Sequence, residues 1–223
     1  KPTQHSVREL MQIGIQPQVL ICRSEHPLDE EIRSKISLFT NVDPRGVIEA
    51  LDVDSIYQVP IEYRQQGLDD YVVELLGLDL EPPDLTEWAR MVEVIRNPPG
   101  RAVRIAVVGK YTNQVDSYKS VQQALIHGGI ANDVAVEVDW ILSEVFDRDE
   151  DPGKRLGCYD GILIPGGFGP RGVEGMLRTI RWTREAGRPF FGICLGLQCA
   201  VIEFSRNVTG LHEANSLEFN SES

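Results

Sequence analysis

The sequence has no run of about 18 apolar residues, the length a helix needs to cross a bilayer. It has four cysteines in 223 residues (Cys22, Cys158, Cys194 and Cys199), unevenly spread and with no Cys-x-x-Cys pair. A disulfide framework or a zinc site is therefore not expected, and a reducing cytoplasm is. Basic residues are scarce, with 22 Lys+Arg against 34 Asp+Glu and a formal net charge of −12. That balance argues against a nucleic-acid polymer as partner, since such a footprint needs a basic face. The opening Lys1-Pro2-Thr3-Gln4 lacks the charged-then-apolar profile of a secretory leader. Without one, the Asn207-Val208-Thr209 glycosylation triplet reads as coincidence. Internal repeats and low-complexity tracts are missing as well, and no membrane association is expected.

What remains is ordinary globular composition, with 42% apolar and 25% charged residues. The length allows one large domain or two small ones. Asn97-Pro98-Pro99-Gly100-Arg101 divides the chain, giving an N-terminal piece over 1–95, a linker over 96–102 and a C-terminal piece over 103–223. In the first piece, Gln18–Cys22, Gly46–Ile48 and Ser55–Val59 read as short strands. Leu28–Thr40, Leu68–Leu76 and Leu85–Ile95 read as helices, the last with Trp88, Met91 and Ile95 on one face. In the second, strands are expected at Val103–Gly109, Val134–Ile141, Gly161–Pro165 and Pro189–Ile193. Helices are expected at Tyr118–His127 (ended by Gly128-Gly129), Val173–Ala186 and Leu195–Phe204. Strands alternating with helices and apolar on both faces predict an open, doubly wound, mainly parallel α/β sheet.

Two turns carry chemistry. Gly192-Ile193-Cys194-Leu195-Gly196 stands where a strand ends and a helix begins, a nucleophile elbow with cysteine in the serine position. The sharp turn needs small flanking residues, and the helix amides that follow favour a thiolate. Taken alone, Cys194 fits equally well as a small buried apolar residue, the role expected of Cys199 within the following helix. The second turn, Pro165-Gly166-Gly167-Phe168-Gly169-Pro170-Arg171-Gly172, begins 28 residues before the cysteine, counting from Gly166. That spacing suits a strand, a crossover helix and the adjacent parallel strand. Its glycines can present bare amides, so the N–H groups of Gly167 and Leu195 are the expected oxyanion hole for an acyl group attacked by Cys194. A phosphate loop is the alternative, but the Gly-Lys-Ser/Thr ending it needs is missing.

Ile164-Pro165-Gly166-Gly167-Phe168-Gly169 and Phe191-Gly192-Ile193-Cys194-Leu195-Gly196-Leu197-Gln198 resemble class I glutamine amidotransferase domains. Lys1-Pro2-Thr3-Gln4-His5-Ser6-Val7, Ile13–Pro17, Leu20–Ser24 and Asp52–Tyr57 are similar to the CTP synthase family. Gly109-Lys110-Tyr111 and Asp116–Ser120 extend that resemblance into the second piece. It implies the tail of an α/β nucleotide-binding synthetase domain followed by the first half of a glutaminase domain. The implied reaction is amination of UTP with ammonia from glutamine, using ATP and Mg2+, with GTP as activator and CTP as inhibitor, in a homotetramer. Residue by residue, the resemblance implies that Lys1, Pro2, Thr3, Gln4 and Lys35 meet UTP or CTP, and that Leu51, Asp52 and Val53 meet the adenine of ATP. It links Lys119 to GTP activation, and assigns Gly167, Leu195, Gly196, Leu197, Gln198 and Glu218 to the glutamine pocket. Plainer roles exist for several of these. Lys35 suits a solvated helix face, Leu51–Val53 an ordinary strand end, and Lys119 a surface near a helix start.

The family's Mg2+ ligands and phosphate loop lie upstream of the matched stretch, and its triad His and Glu lie far downstream of the cysteine. The one histidine after Cys194 is His212, 18 residues on, expected on a loop. The chain is therefore expected to be an internal piece, nearly inert alone. A different class I amidotransferase and a non-catalytic nucleotide-binding regulator are the competing readings.

Overall fold

The computed structural model describes residues 2–113, 115–147 and 151–220. They form two compact units, 1–96 and 97–223. In the first unit, α1 (Pro2–Gln12) precedes β1 (Leu20–Ser24), α2 (Glu30–Thr40) and β2 (Val47–Leu51). Then come α3 (Val59–Gln65), α4 (Leu68–Leu76) and α5 (Thr86–Arg96). β1 and β2 pair in parallel, Leu20 opposite Val47 and Ser24 opposite Leu51. α2 starts where Asp29 accepts the Ile32 N–H at 2.7 Å and stops at left-handed Asn41. Cys22, Ile36, Val42 and Val47 form a buried cluster in this unit.

Two expectations fail here. Ser55–Val59 is not a strand. The Ser55 hydroxyl accepts the Tyr57 N–H to start a 3-10 turn, and Pro60, placed in the first turn of α3, continues it as helix. Gly46 belongs to a 3-10 turn rather than to β2: Asp43 accepts the Arg45 N–H at 2.8 Å to start that turn at Pro44, and a Cβ on Gly46 would stand 2.4 Å from the Gln18 carbonyl. Pro2–Gln4 form the first turn of α1, a helix that the expectations do not include.

The second unit contains β3 (Ala102–Gly109), α6 (Lys119–Ala131), β4 (Ala135–Leu142), α7 (Pro152–Leu156), β5 (Gly161–Ile164), α8 (Val173–Glu185), β6 (Phe190–Gly192) and α9 (Leu195–Asn207). All strands are parallel, in the order β4-β3-β5-β6. The path steps from β3 outward to β4, then back across β3 to β5. The winding therefore reverses between β3 and β5, and right-handed crossovers put α6 and α8 on opposite faces. Residues 106–108 of β3 and all of β5 are buried, as a doubly covered sheet requires. The main core gathers Ala106, Phe146, Ile164, Met176, Leu195 and Cys199 among others. Gly128 and Gly129 do not end α6. Gly129 packs against the Val134 carbonyl and the Val136 side chain, leaving 2.7–2.8 Å for a Cβ.

Candidate active site

β5 and β6 are neighbours, with Ile164 opposite Gly192, so the turns that follow them emerge side by side at the carboxyl edge of the sheet. Beyond β6 the Ile193 N–H still bonds the Ile164 carbonyl at 2.9 Å, and the chain then reverses within one residue. Cys194 makes that reversal at φ 52°, ψ −105°, a conformation costly for a side-chain-bearing residue. Its flanking glycines are dictated by contact. A Cβ on Gly196 would lie 2.1 Å from the Ile164 carbonyl oxygen, and one on Gly192 would lie 2.6 Å from the Gly196 backbone. Helix α9 thus starts directly against the strands, with Cys194 as its N-cap and its thiol exposed.

The glycine bend lies against this thiol. A Cβ placed on Gly166 would be 3.6 Å from Cys194 Cβ and 4.0 Å from its Sγ, and one on Gly167 would be 3.2 Å from a Leu195 methyl. The N–H groups of Gly167 and Leu195 have no hydrogen-bond partner among the described residues. An exposed thiol beside two unused amides, the second heading a helix, is an arrangement able to bind the oxyanion of an acyl intermediate.

Side chains from three other places hold the bend. The Lys110 ammonium, at the end of β3, is buried and donates to the carbonyls of Phe168 (3.0 Å) and Gly169. Burial pulls its pKa below the ordinary lysine value. Arg171 bonds the Lys110 carbonyl at 3.1 Å and pairs with Glu144 at 2.7 Å. Tyr118 donates its hydroxyl to the Gly166 carbonyl at 3.2 Å. Glu218, 49 residues downstream, accepts the Gly169 N–H at 3.2 Å. Phe219 beside it packs on the core.

Of the residues singled out from sequence, the structure gathers Gly167, Cys194, Leu195 and Glu218 at this edge. Gly196 is buried beneath it, while Leu197 and Gln198 are exposed on the first turn of α9. Lys119 is exposed at the start of α6. The remaining residues belong to the other unit. Lys1 lies outside the described residues. Pro2, Thr3 and Gln4 start α1, and Gln4 lines a groove with Val7, Arg8 and Phe39. Lys35 pairs with Glu31 one turn back along α2. Leu51 ends β2 and Asp52-Val53 follow it, with Asp52 paired to Arg23 of β1 at 3.0 Å. His212 is exposed on a turn. Sequence reasoning missed the anchors Lys110, Tyr118 and Arg171. The available signal was Gly109-Lys110-Tyr111, a charged residue directly after a buried strand and so at its ligand-facing end.

A family model for the CTP synthase N-terminus matches residues 1–78, and one for class-I glutamine amidotransferases matches 113–222. The CTP synthase of Acidiphilium cryptum is 56% identical over 223 residues, and that of Azospirillum brasilense 54% over 219, each match covering 98% of this chain and 40% of the relative. The Oleidesulfovibrio alaskensis enzyme is 50% identical over 222 residues, covering 100% of this chain and 40% of the relative. Among solved structures, the Trypanosoma brucei CTPS glutaminase domain with bound acivicin matches with TM-score 0.51 and 46% identity, over 54% of this chain and 47% of that one. The chain thus spans about two fifths of the length of the curated relatives it matches. Two family models in tandem on one chain, together with identities of 50% or more over nearly all of it, lead to one conclusion: the chain belongs to the CTP synthase family.

Proposed function

We propose that the second unit supplies the nucleophile and the oxyanion hole of the glutamine-hydrolysing step of a CTP synthase. The observation that carries this reading is the strained, exposed Cys194 one strand away from the Gly166-Gly167 bend, with the Gly167 and Leu195 amides unused between them. In the reaction, the Cys194 thiolate attacks the side-chain amide carbon of glutamine and forms a C–S bond. The carbonyl π pair moves to oxygen, which the two amides bind. Collapse of this intermediate breaks the C–N bond, and the nitrogen leaves as ammonia after accepting a proton. Water then cleaves the thioester, giving glutamate and the free thiol. The proton-transferring base belongs, in this reading, to the part of the relatives that the chain does not span.

Glu218, by fixing the Gly169 amide, shapes the same pocket, with Leu197 and Gln198 on its α9 side. The ammonia aminates UTP at the expense of ATP, with GTP activating and CTP inhibiting, in a homotetrameric cytoplasmic enzyme. In the first unit the segment Leu51–Val53 lies at the carboxyl end of a parallel strand pair, a place suited to a nucleotide. Pro2–Gln4 and Lys35 are the proposed pyrimidine-nucleotide contacts, and Lys119 serves GTP activation. The Mg2+ ligands belong, in this reading, to the part of the relatives that the chain does not span.

The test is Cys194→Ala in the full-length enzyme carrying this chain. Glutamine-driven CTP formation is expected to vanish, and ammonia-driven formation to continue at the parent rate. Loss of both, or of neither, removes Cys194 from the role.

A further inference from the structure

We propose that Tyr118 is a positioning residue that sets the oxyanion hole, by holding the peptide plane between Gly166 and Gly167. The inference rests on the glutaminase reading above. A peptide flanked by two glycines is the easiest kind to rotate, because neither neighbour has a Cβ to restrict φ and ψ. An oxyanion hole needs the opposite, a donor already aimed before the charge develops. The Gly166–Gly167 peptide is trans and planar, so its carbonyl and its N–H point in opposite directions, and fixing one fixes the other. The group that holds this carbonyl is the Tyr118 hydroxyl, at 3.2 Å. Lys110 and Glu218 hold later groups of the loop, the Phe168 and Gly169 carbonyls and the Gly169 N–H.

Tyr118 is itself firmly placed. It is 6% exposed. Its ring stacks on Trp140 of β4 with centroids 5.6 Å apart and planes 1° from parallel. Its hydroxyl oxygen accepts the Tyr111 N–H at 3.4 Å, which leaves the hydroxyl proton for Gly166. A Cβ on Gly109 would come within 3.0 Å of that hydroxyl and of Pro165, so β3 must end in glycine for the ring to reach the bend.

The test is Tyr118→Phe in the full-length enzyme, which keeps the ring and its stacking and removes only the hydroxyl. The kcat for glutamine hydrolysis is expected to fall about 10- to 100-fold, below the full loss of an oxyanion donor because the amide is misaimed rather than removed. The KM for glutamine should stay within about twofold. Alkylation of Cys194 by iodoacetamide, followed on its own peptide by mass spectrometry, should keep the parent rate, because displacement at a saturated carbon develops no oxyanion. Ammonia-driven CTP formation should be unchanged. An unaltered kcat overturns the proposal. So does a fall in kcat matched by a change in alkylation or in ammonia-driven activity, which would mean a general loss of structure. If parent enzyme fully alkylated at Cys194 still hydrolyses glutamine, the glutaminase reading fails, whatever Tyr118→Phe does.

Discussion

Cys194 at the N-cap of α9 and Cys199 within it show how placement decides a thiol's surroundings within a few residues. Cys194, in a backbone conformation that side chains avoid, is exposed at the helix start. Cys199, one and a half turns on, is fully buried, and burial pushes its pKa up to about 11 from an ordinary 9.0. The sign of the linkage follows. The unfolded thiol ionises near pH 9 and the folded one near 11, so in that window the folded chain holds more protons. Stability from this group is complete below pH 9 and is lost as pH rises through 11. Urea unfolding should show the parent losing about 2 kcal/mol more than Cys199→Ala across this window. Parallel pH curves for the two proteins would mean that Cys199 ionises as freely folded as unfolded. The elbow and the glycine bend were legible in the sequence because sterics force their glycines into a fixed pattern. Lys110, Tyr118 and Arg171 were not, because their partners are backbone carbonyls 48 to 61 residues away that leave no local mark.

At the scale of elements, α9 is held at the sheet by its glycine contacts and on α8 by two ion pairs, the more exposed Arg206–Glu174 at 3.2 Å and the buried-end pair Arg184–Glu203. Glu203 is 1% exposed and meets Arg184 of α8 through both oxygens, at 2.7 and 3.1 Å, with Asn207 adding a bond at 3.2 Å. Arg184→Met removes the cation and strands a buried carboxylate. It should cost the second unit about 3 kcal/mol in urea unfolding. Adding Glu203→Leu should return most of that loss, since two apolar side chains need no charge partner. A single variant as stable as the parent would mean that water already screens Glu203. Sequence periodicity found the elements of this unit well, because a strand buried on both faces leaves an unbroken apolar run. It did less well in the first unit, where caps decide the outcome. Ser55 and Pro60 turned an expected strand into helix, and α1 carries too few apolar residues to announce itself.

For the whole molecule, the two units differ in how much core each buries. The second unit's cluster has fifteen buried members among the described residues, drawn from β3, β4, β5 and the helices around them, while the first unit's has four. The first unit also leaves Ile13, Leu38 and Phe39 at least two thirds exposed, and its two-stranded sheet is below the size that stands well alone. Residues 96–101 are exposed throughout and contain Arg96 and Arg101, so trypsin should cut there first. Neither cluster spans the cut, so each piece keeps its own core. The pieces differ in charge: residues 1–96 carry nine Lys+Arg against eighteen Asp+Glu, and 97–223 carry thirteen against sixteen. Anion exchange will therefore separate them. With continued digestion the N-terminal piece should disappear while the C-terminal piece, begun near Ala102, persists with Cys194 still open to iodoacetamide and Cys199 still closed. An N-terminal piece that outlasts the C-terminal one would show that the stability of this chain does not follow its buried core.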